Sequence, residues 1–319
     1  MTLTLGIDIG GTKVAGGVVD ETGTVLAQIR RQTPASDTAK VLSTTIEVIR
    51  ELSGRYPVAA IGVGAAGWFD VTRSVVLFAP NLAWRNEPLL ASITSVVDLP
   101  VVLENDGNTA AWAEFTVGAA QGADDSMVLL TVGTGIGGGV IVGGNLVRGA
   151  NGIAGEPGHT RVVPDGLRCR CGRDGCLEQY ASGTALVRFA KAAAVAEPDS
   201  AKQLLAMAGG AVDAIDGPMV TTAAQAGDTA SLAAFEQVGS WLGPALADMV
   251  QVLAPPVLVV GGGVAEAGEL LMAPTRRGYR AALARRGDLP VAEVRRAALG
   301  NTAGLIGAAD LARRSLGAR

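Results

Sequence analysis

Two short turns rich in glycine and threonine are the first places where this chain could do chemistry. Asp8-Ile9-Gly10-Gly11-Thr12-Lys13 follows one apolar run, and Gly133-Thr134-Gly135 follows another. Glycine lets a backbone approach a ligand closely, and successive N–H groups form a concave nest for an anion. Thr12 and Thr134 add hydroxyl donors, and Asp8 brings a carboxylate able to hold a hydrated Mg2+. The residues after the first turn read as a strand. That excludes the P-loop and the dinucleotide fingerprint, both of which open a helix. A single copy reads best as an ordinary hairpin turn, but two copies at equivalent positions argue for phosphate binding.

The second chemical cluster is a metal set. The chain has one His and three Cys, and all four fall between His159 and Cys176. Cys169, Cys171 and Cys176 with His159 supply the four N/S ligands that Zn2+ takes in closed structural sites. Gly172 and Gly175 permit the turns needed to bring them together. A disulfide is the competing use, but an odd count in a chain of cytosolic character disfavours it.

Asp106 is the third candidate. It stands where a strand over 101–104 gives way to a helix running to about residue 117, so its carboxylate lies at a chain reversal. It reads as a helix N-cap, a role compatible with catalysis. A helix N-terminus favours the ionised form, which makes Asp106 an expected weak base.

The elements that must position these residues alternate as in an α/β protein. Strands are expected at 3–9, 14–20, 24–31 and 58–64, with a helix bearing Val41, Ile46 and Ile49 between the last two. At Met127 the pattern restarts: strands at 127–132 and 138–142 flank the second turn, and a third begins at Leu146. The same strand–turn–strand unit therefore occurs twice, which points to two related lobes. Residues 182–255 read as mostly helical, 231–253 being the longest helix. A buried strand at 257–260 ends in Gly261-Gly262-Gly263, and a helix at 302–316 closes the chain.

Composition narrows the partners. At 319 residues the chain is long enough for two cores. A net charge of −4 lacks the basic field that nucleic acid requires. Residues 127–147 are uncharged, but seven glycines there fit two strands around a loop rather than a membrane helix. No secretory signal is visible, so the expected compartment is the cytoplasm.

Together, Asp8–Lys13, Asn105-Asp106, Gly133–Gly135 and Val260-Gly261-Gly262-Gly263 resemble the nucleotide and sugar motifs of the superfamily that unites actin, hexokinase and heat-shock ATPases. Glu156-Pro157-Gly158-His159 and the run from Cys169 to Glu178 are similar to the signatures of its ROK family (repressors, open reading frames and kinases). The resemblance covers nearly the whole chain. It implies a two-lobed actin-like, ribonuclease H-like α/β fold with mixed sheets, and nucleotide and sugar in the interlobe cleft. Residues 1–106 and 302–319 would form a small domain, and 107–301 a large one carrying the zinc loop at 156–178. The implied activity is ATP-dependent phosphorylation of a hexose, glucose above others, with Asp106 as catalytic base. Asn81, Asn105, Asp106, Glu156, His159 and Glu178 would bind sugar. Asp8, Gly10, Gly11, Thr12, Lys13, Gly133, Thr134, Gly135 and Gly261–Gly263 would bind nucleotide. Mg2+ would accompany ATP, a structural Zn2+ would bind His159, Cys169, Cys171 and Cys176, and the assembly would be a homodimer or homotetramer.

Two positions depart from the family pattern: Pro157 replaces a larger apolar residue, and Gly107 stands where Ala is common. Mannose, fructose, allose or N-acetylglucosamine are alternative acceptors, and polyphosphate an alternative donor. From another class, a sugar-responsive repressor would need a helix-turn-helix segment ahead of the phosphate turn, and the turn already begins at Asp8.

Overall fold

The computed structural model describes residues 2–317, apart from 35, 80, 81 and 288. The N-terminal part comprises β1 (Leu3–Ile9), β2 (Lys13–Val19), β3 (Val25–Gln32), α1 (Thr38–Ser53), β4 (Val58–Ala65), β5 (Trp68–Phe69), β6 (Val76–Phe78), β7 (Arg85–Glu87), α2 (Leu89–Thr94), β8 (Val101–Asn105) and α3 (Asp106–Thr116). Next come β9 (Met127–Val132), β10 (Ile136–Val142) and β11 (Asn145–Leu146). The remainder is α4 (Glu178–Ala181), α5 (Gly183–Ala196), α6 (Lys202–Met207), α7 (Gly217–Gln225), α8 (Thr229–Leu253), β12 (Val257–Gly261), α9 (Glu269–Leu283), β13 (Glu293–Arg296) and α10 (Ala303–Gly317).

By internal packing the chain divides into two units. The first holds Met1–Leu129, Gly138–Glu156 and Asn301–Arg319, and the second holds Leu130–Gly137 and Pro157–Gly300. Residues 107–129 and 138–156, expected in the larger domain, thus group with the first unit. The reason is α10. A Cβ at Gly307 would stand 1.8 Å from the Thr109 carbonyl oxygen, so α10 and α3 meet backbone to backbone.

In the first unit a five-stranded sheet has the order β3-β2-β1-β4-β8. The β1–β2 and β2–β3 pairs are antiparallel, while β1–β4 and β4–β8 are parallel. β1 is an apolar run covered on both faces, as a central strand must be. α1 covers one face with Val41, Val48, Ile49 and Leu52, and Asp37 caps it by accepting from the Lys40 N–H. α10 lies against the other face. Gly6 and Gly62 allow this, since a Cβ on either would come within 1.8 Å of an α10 carbonyl. A small sheet β5-β6-β7 stands apart from the main one. Its strands of two or three residues carry no periodic signal, and sequence reading did not anticipate them.

A second five-stranded sheet has the order β11-β10-β9-β12-β13. It matches the first strand for strand: a meander of three, then two strands added beside its first. The division between units falls inside β9 and β10. The uncharged stretch at 127–147 forms strands, and no helix of the described residues is long and apolar enough to cross a membrane. In the second unit α8 is the longest helix, capped by Asp228 accepting from the Ser231 N–H.

Candidate active site

The first unit carries two carboxylates at the ends of β1 and β8, two strands that run parallel with β4 between them. Asp8 sits near the end of β1, paired with Ala15 on one side and Gly64 on the other. The turn after it closes by a bond from the Gly10 N–H to the Lys13 carbonyl, 3.0 Å, and the Thr33 N–H ties down the Thr12 carbonyl at 2.9 Å. Asp106 is the first residue of α3, not its cap. Asn105 caps the helix, accepting from the Asn108 N–H at 3.0 Å and donating its amide to the Gly67 carbonyl at 3.0 Å. That engagement leaves Asn105 with less capacity for sugar than the sequence suggested. It also frees the Asp106 carboxylate from capping, apart from the adjacent Gly107 N–H at 2.9 Å.

The turn holding Asp106 is gripped from behind by Glu104, a carboxylate only 2% exposed. It accepts from the Asn105 N–H (2.9 Å), the Asn108 amide (2.9 Å) and Arg148 Nε (2.6 Å), and Arg73 Nε lies 3.4 Å away. Gly107 has its own cause: a Cβ there would stand 2.2 Å from the Gly138 carbonyl oxygen, so the start of α3 rests on the β10 backbone.

These surroundings change the expected acidity. Burial raises the Asp106 pKa, only partly opposed by the N–H groups of Gly107 and of Asp106 itself. The helix N-terminus therefore does not dominate, and Asp106 is a stronger base than the expected ionised cap. Asp8 is pushed up to about 7 by burial first and by the Asp106 charge second, with Lys13 and Arg30 pulling it down. Glu156 accepts from the Trp68 indole N–H at 3.0 Å, a partner that no sequence pattern singled out. Asn81 lies outside the described residues.

In the second unit the Gly133–Gly135 turn closes by a bond from the Gly133 N–H to the Gly135 carbonyl, 2.9 Å. Glu178, at the start of α4, accepts the Ile136 N–H at 3.0 Å. It lies so close beneath the turn that a Cβ at Gly135 would come within 2.0 Å of its Oε2. Gly261 ends β12, and Gly262 takes φ +85° beside the Val132 backbone. Gly133, Thr134 and Gly263 line a cavity of about 870 Å³. Its far wall is apolar, with Leu186, Val187 and Ile215, and polar groups enter from Thr221 and Gln225 of α7. The glycines were legible in sequence. The α5 and α7 walls were not, because they carry ordinary helical residues with no motif.

The metal set also lies in the second unit. Ligand atoms of His159, Cys169, Cys171 and Cys176 all fall within 4.8 Å of one another. Cys169 Sγ is 3.6 Å from His159 Nδ1, and Cys171 Sγ is 3.7 Å from Cys176 Sγ. That is far beyond a disulfide bond of about 2.05 Å. It matches the separation of about 3.8 Å that two sulfurs show across a tetrahedral ion at about 2.3 Å. Burial and the crowding of neighbouring thiols push Cys176 up to about 12, and burial first raises Cys169 and lowers His159. Pro157 opens a one-turn 3-10 helix, Pro157–His159, so its fixed φ suits the loop. Glu178 joins the two features, with Oε1 3.6 Å from Cys169 Sγ and Oε2 on the Ile136 N–H.

Two mixed sheets of matching order, each with a Gly/Thr turn after the first strand of its meander, define an actin-like ATPase fold. The ROK family profile matches residues 4–315. The chain is 45% identical over 313 residues to a glucokinase of Streptomyces coelicolor, covering 98% of each chain. It is 48% identical to a ROK family glucokinase from Streptomyces griseus solved with glucose and AMPPNP, with a TM-score of 0.91 over 98% of this chain and 99% of that one. A ROK hexokinase from Thermus thermophilus aligns over the whole of both chains at 36% identity and a TM-score of 0.82. The chain belongs to the ROK family.

Proposed function

We infer that this chain is an ATP-dependent glucokinase, transferring a phosphoryl group to the 6-hydroxyl of glucose. The observation that carries the substrate assignment is the likeness, over 98% of the chain, to a glucokinase solved with glucose and a non-hydrolysable ATP analogue. The chemistry of the residues supports it. Asp106 orients the 6-hydroxyl and accepts its proton, and its raised pKa suits that task better than an ordinary carboxylate would. Asn81, Asn105, Glu156, His159 and Glu178 are the further proposed sugar ligands. The turns at Gly10–Lys13 and Gly133–Gly135 direct N–H groups at phosphate oxygens, and Gly261–Gly263 with the cavity walls take the adenosine. Such positioning and charge stabilisation are most of what phosphoryl transfer asks of a protein.

Mg2+ bound with ATP supplies neutralisation of the charge on the transferring phosphoryl, and Asp8 is the residue that would hold it. His159, Cys169, Cys171 and Cys176 would hold a structural Zn2+, which fits their sulfur spacing. Three unpaired thiols suit the reducing cytoplasm, where we place the reaction. A homodimer or homotetramer is the proposed assembly.

The test is a coupled assay with ATP and Mg2+ against glucose, mannose, fructose, allose, N-acetylglucosamine and N-acetylmannosamine, with polyphosphate as a second donor. Glucose with ATP gives the highest kcat/KM. Preference for an N-acetylated sugar or for polyphosphate would overturn the assignment. In the same assay Asp106→Asn retains glucose binding and loses roughly 10²–10⁴-fold in kcat. An undiminished rate would remove Asp106 from the chemistry.

A further inference from the structure

The backbone groups of the Gly133–Gly135 turn can be accounted for one by one. The Val132 carbonyl accepts from the Val264 N–H at 3.0 Å, and the Gly135 carbonyl accepts from the Gly133 N–H at 2.9 Å. The Gly133 carbonyl accepts from the Gly183 N–H at 2.7 Å. The Thr134 carbonyl accepts from the Thr184 hydroxyl at 2.7 Å, and from the Thr184 N–H at a longer 3.4 Å. The Ile136 N–H goes to Glu178. Two adjacent N–H groups are left, those of Thr134 and Gly135.

Their direction follows from peptide planarity. In a trans peptide the N–H points opposite to the preceding carbonyl, and no described peptide is cis. The carbonyls of Gly133 and Thr134 point at the first residues of α5, so the N–H groups of Thr134 and Gly135 point away from that helix. Gly133, Thr134 and Thr184 all line the same cavity. A helix N-terminus commonly meets an anion directly. Here two of its donors are spent on carbonyls, and the polarity is relayed through two peptide units to the N–H groups of Thr134 and Gly135. Gly183 is needed for the approach, because a Cβ there would stand 2.8 Å from the Gly133 carbonyl oxygen. Ser182 caps α5 by accepting from the Ala185 N–H, which fixes the first turn of the helix.

We propose that Thr184 is a positioning residue for the phosphate turn: its hydroxyl holds the Thr134 carbonyl backward, so that the Gly135 N–H faces the nucleotide phosphates. The proposal rests on the reading of this turn as an ATP phosphate site. The Thr184 N–H alone is a poor substitute at 3.4 Å, so the hydroxyl supplies most of the hold. Thr184 is exposed and lines the cavity, so replacing it should leave the fold intact.

The experiment titrates ATP, ADP and adenosine into the full-length protein and into Thr184→Val, Thr184→Ala and Thr184→Ser, with Tm measured for each. Val and Ala weaken ATP and ADP by about two- to tenfold, the loss of one hydrogen bond. They leave adenosine affinity, KM for glucose and Tm unchanged, and Ser restores ATP binding. Equal weakening of adenosine would make Thr184 a nucleoside contact and overturn the proposal, as would ATP binding unaffected in both Val and Ala. A wild-type protein that binds adenosine but not ATP would sink the kinase reading together with it.

Discussion

Glu104→Ala is the most demanding test of how the turn carrying Asp106 is built. The carboxylate is 2% exposed and faces two arginines of unequal burial: the Arg73 side chain is 12% exposed and that of Arg148 41%. Arg148 can rehydrate when its partner is removed, so its loss costs little. Arg73 cannot. Burial lowers its pKa, and Glu104 is the first charge that opposes this. Its other bond, from Nη1 to the Gly152 carbonyl at 2.8 Å, brings no compensating charge. Stranding a buried ion costs about 3–5 kcal/mol. At about 2–4 °C per kcal/mol for a unit of 150–250 residues, Tm falls by roughly 6–20 °C. Glu104→Gln keeps an oxygen for the Asn105 N–H and the Asn108 amide but strips the charge, so its Tm falls between wild type and Ala. Both substitutions also loosen the frame of Asp106, so kcat falls in the folded Gln variant. The assays are thermal denaturation and the coupled kinase assay. A Glu104→Ala protein within about 2 °C of wild type would refute the claim that Arg73 depends on this carboxylate.

Two further outcomes follow from the acid pair and the thiol cluster. The folded Asp8 pKa is about 7 against an ordinary 3.8, so between those pH values the folded state binds the extra proton. Stability from this group is full at low pH and is lost as pH rises toward 7. In Mg2+-free buffer Asp8→Asn should therefore raise Tm at pH 8 more than at pH 5; an equal effect at both would contradict the sign. For the metal set, elemental analysis should find about one zinc per chain, and Cys176→Ser or a strong chelator should lower Tm and the zinc content together. A zinc-free preparation with wild-type Tm would refute a structural metal.

The repeated strand–turn–strand unit was legible because buried β-strands and glycine turns write themselves locally into sequence. β1 to β3 and β9 to β11 appear within a few residues of their expected places. The four metal-type ligands were legible because His and Cys are so scarce in this chain that their grouping stood out. What stayed hidden depends on contacts distant in sequence. The grouping of α3 with the first unit needs α10, nearly two hundred residues later, packed on Thr109. The cap at Asn105 rather than Asp106 depends on where the helix begins, and both residues are competent caps. Burial overrode the helix N-terminus at Asp106 because desolvation acts on the whole carboxylate, whereas the dipole acts through two N–H groups.

The two copies of the turn show how one device is held by different physics. After β1 the turn is framed by charge: Lys13 and Arg30 offset the buried Asp8, and a single Gly10 to Lys13 bond closes it. After β9 no ionisable residue lies within the turn itself, and support comes from outside. The first donors of α5 hold two carbonyls, and Glu178 fixes the last N–H from below. The second arrangement ties the turn to the thiol cluster through one carboxylate, because Glu178 also touches Cys169. Metal lost from the cluster would free Cys169, the neighbour of Glu178, and so release one support of the turn. By this chain of contacts the proposed zinc cluster would help to set the shape of the proposed phosphate turn.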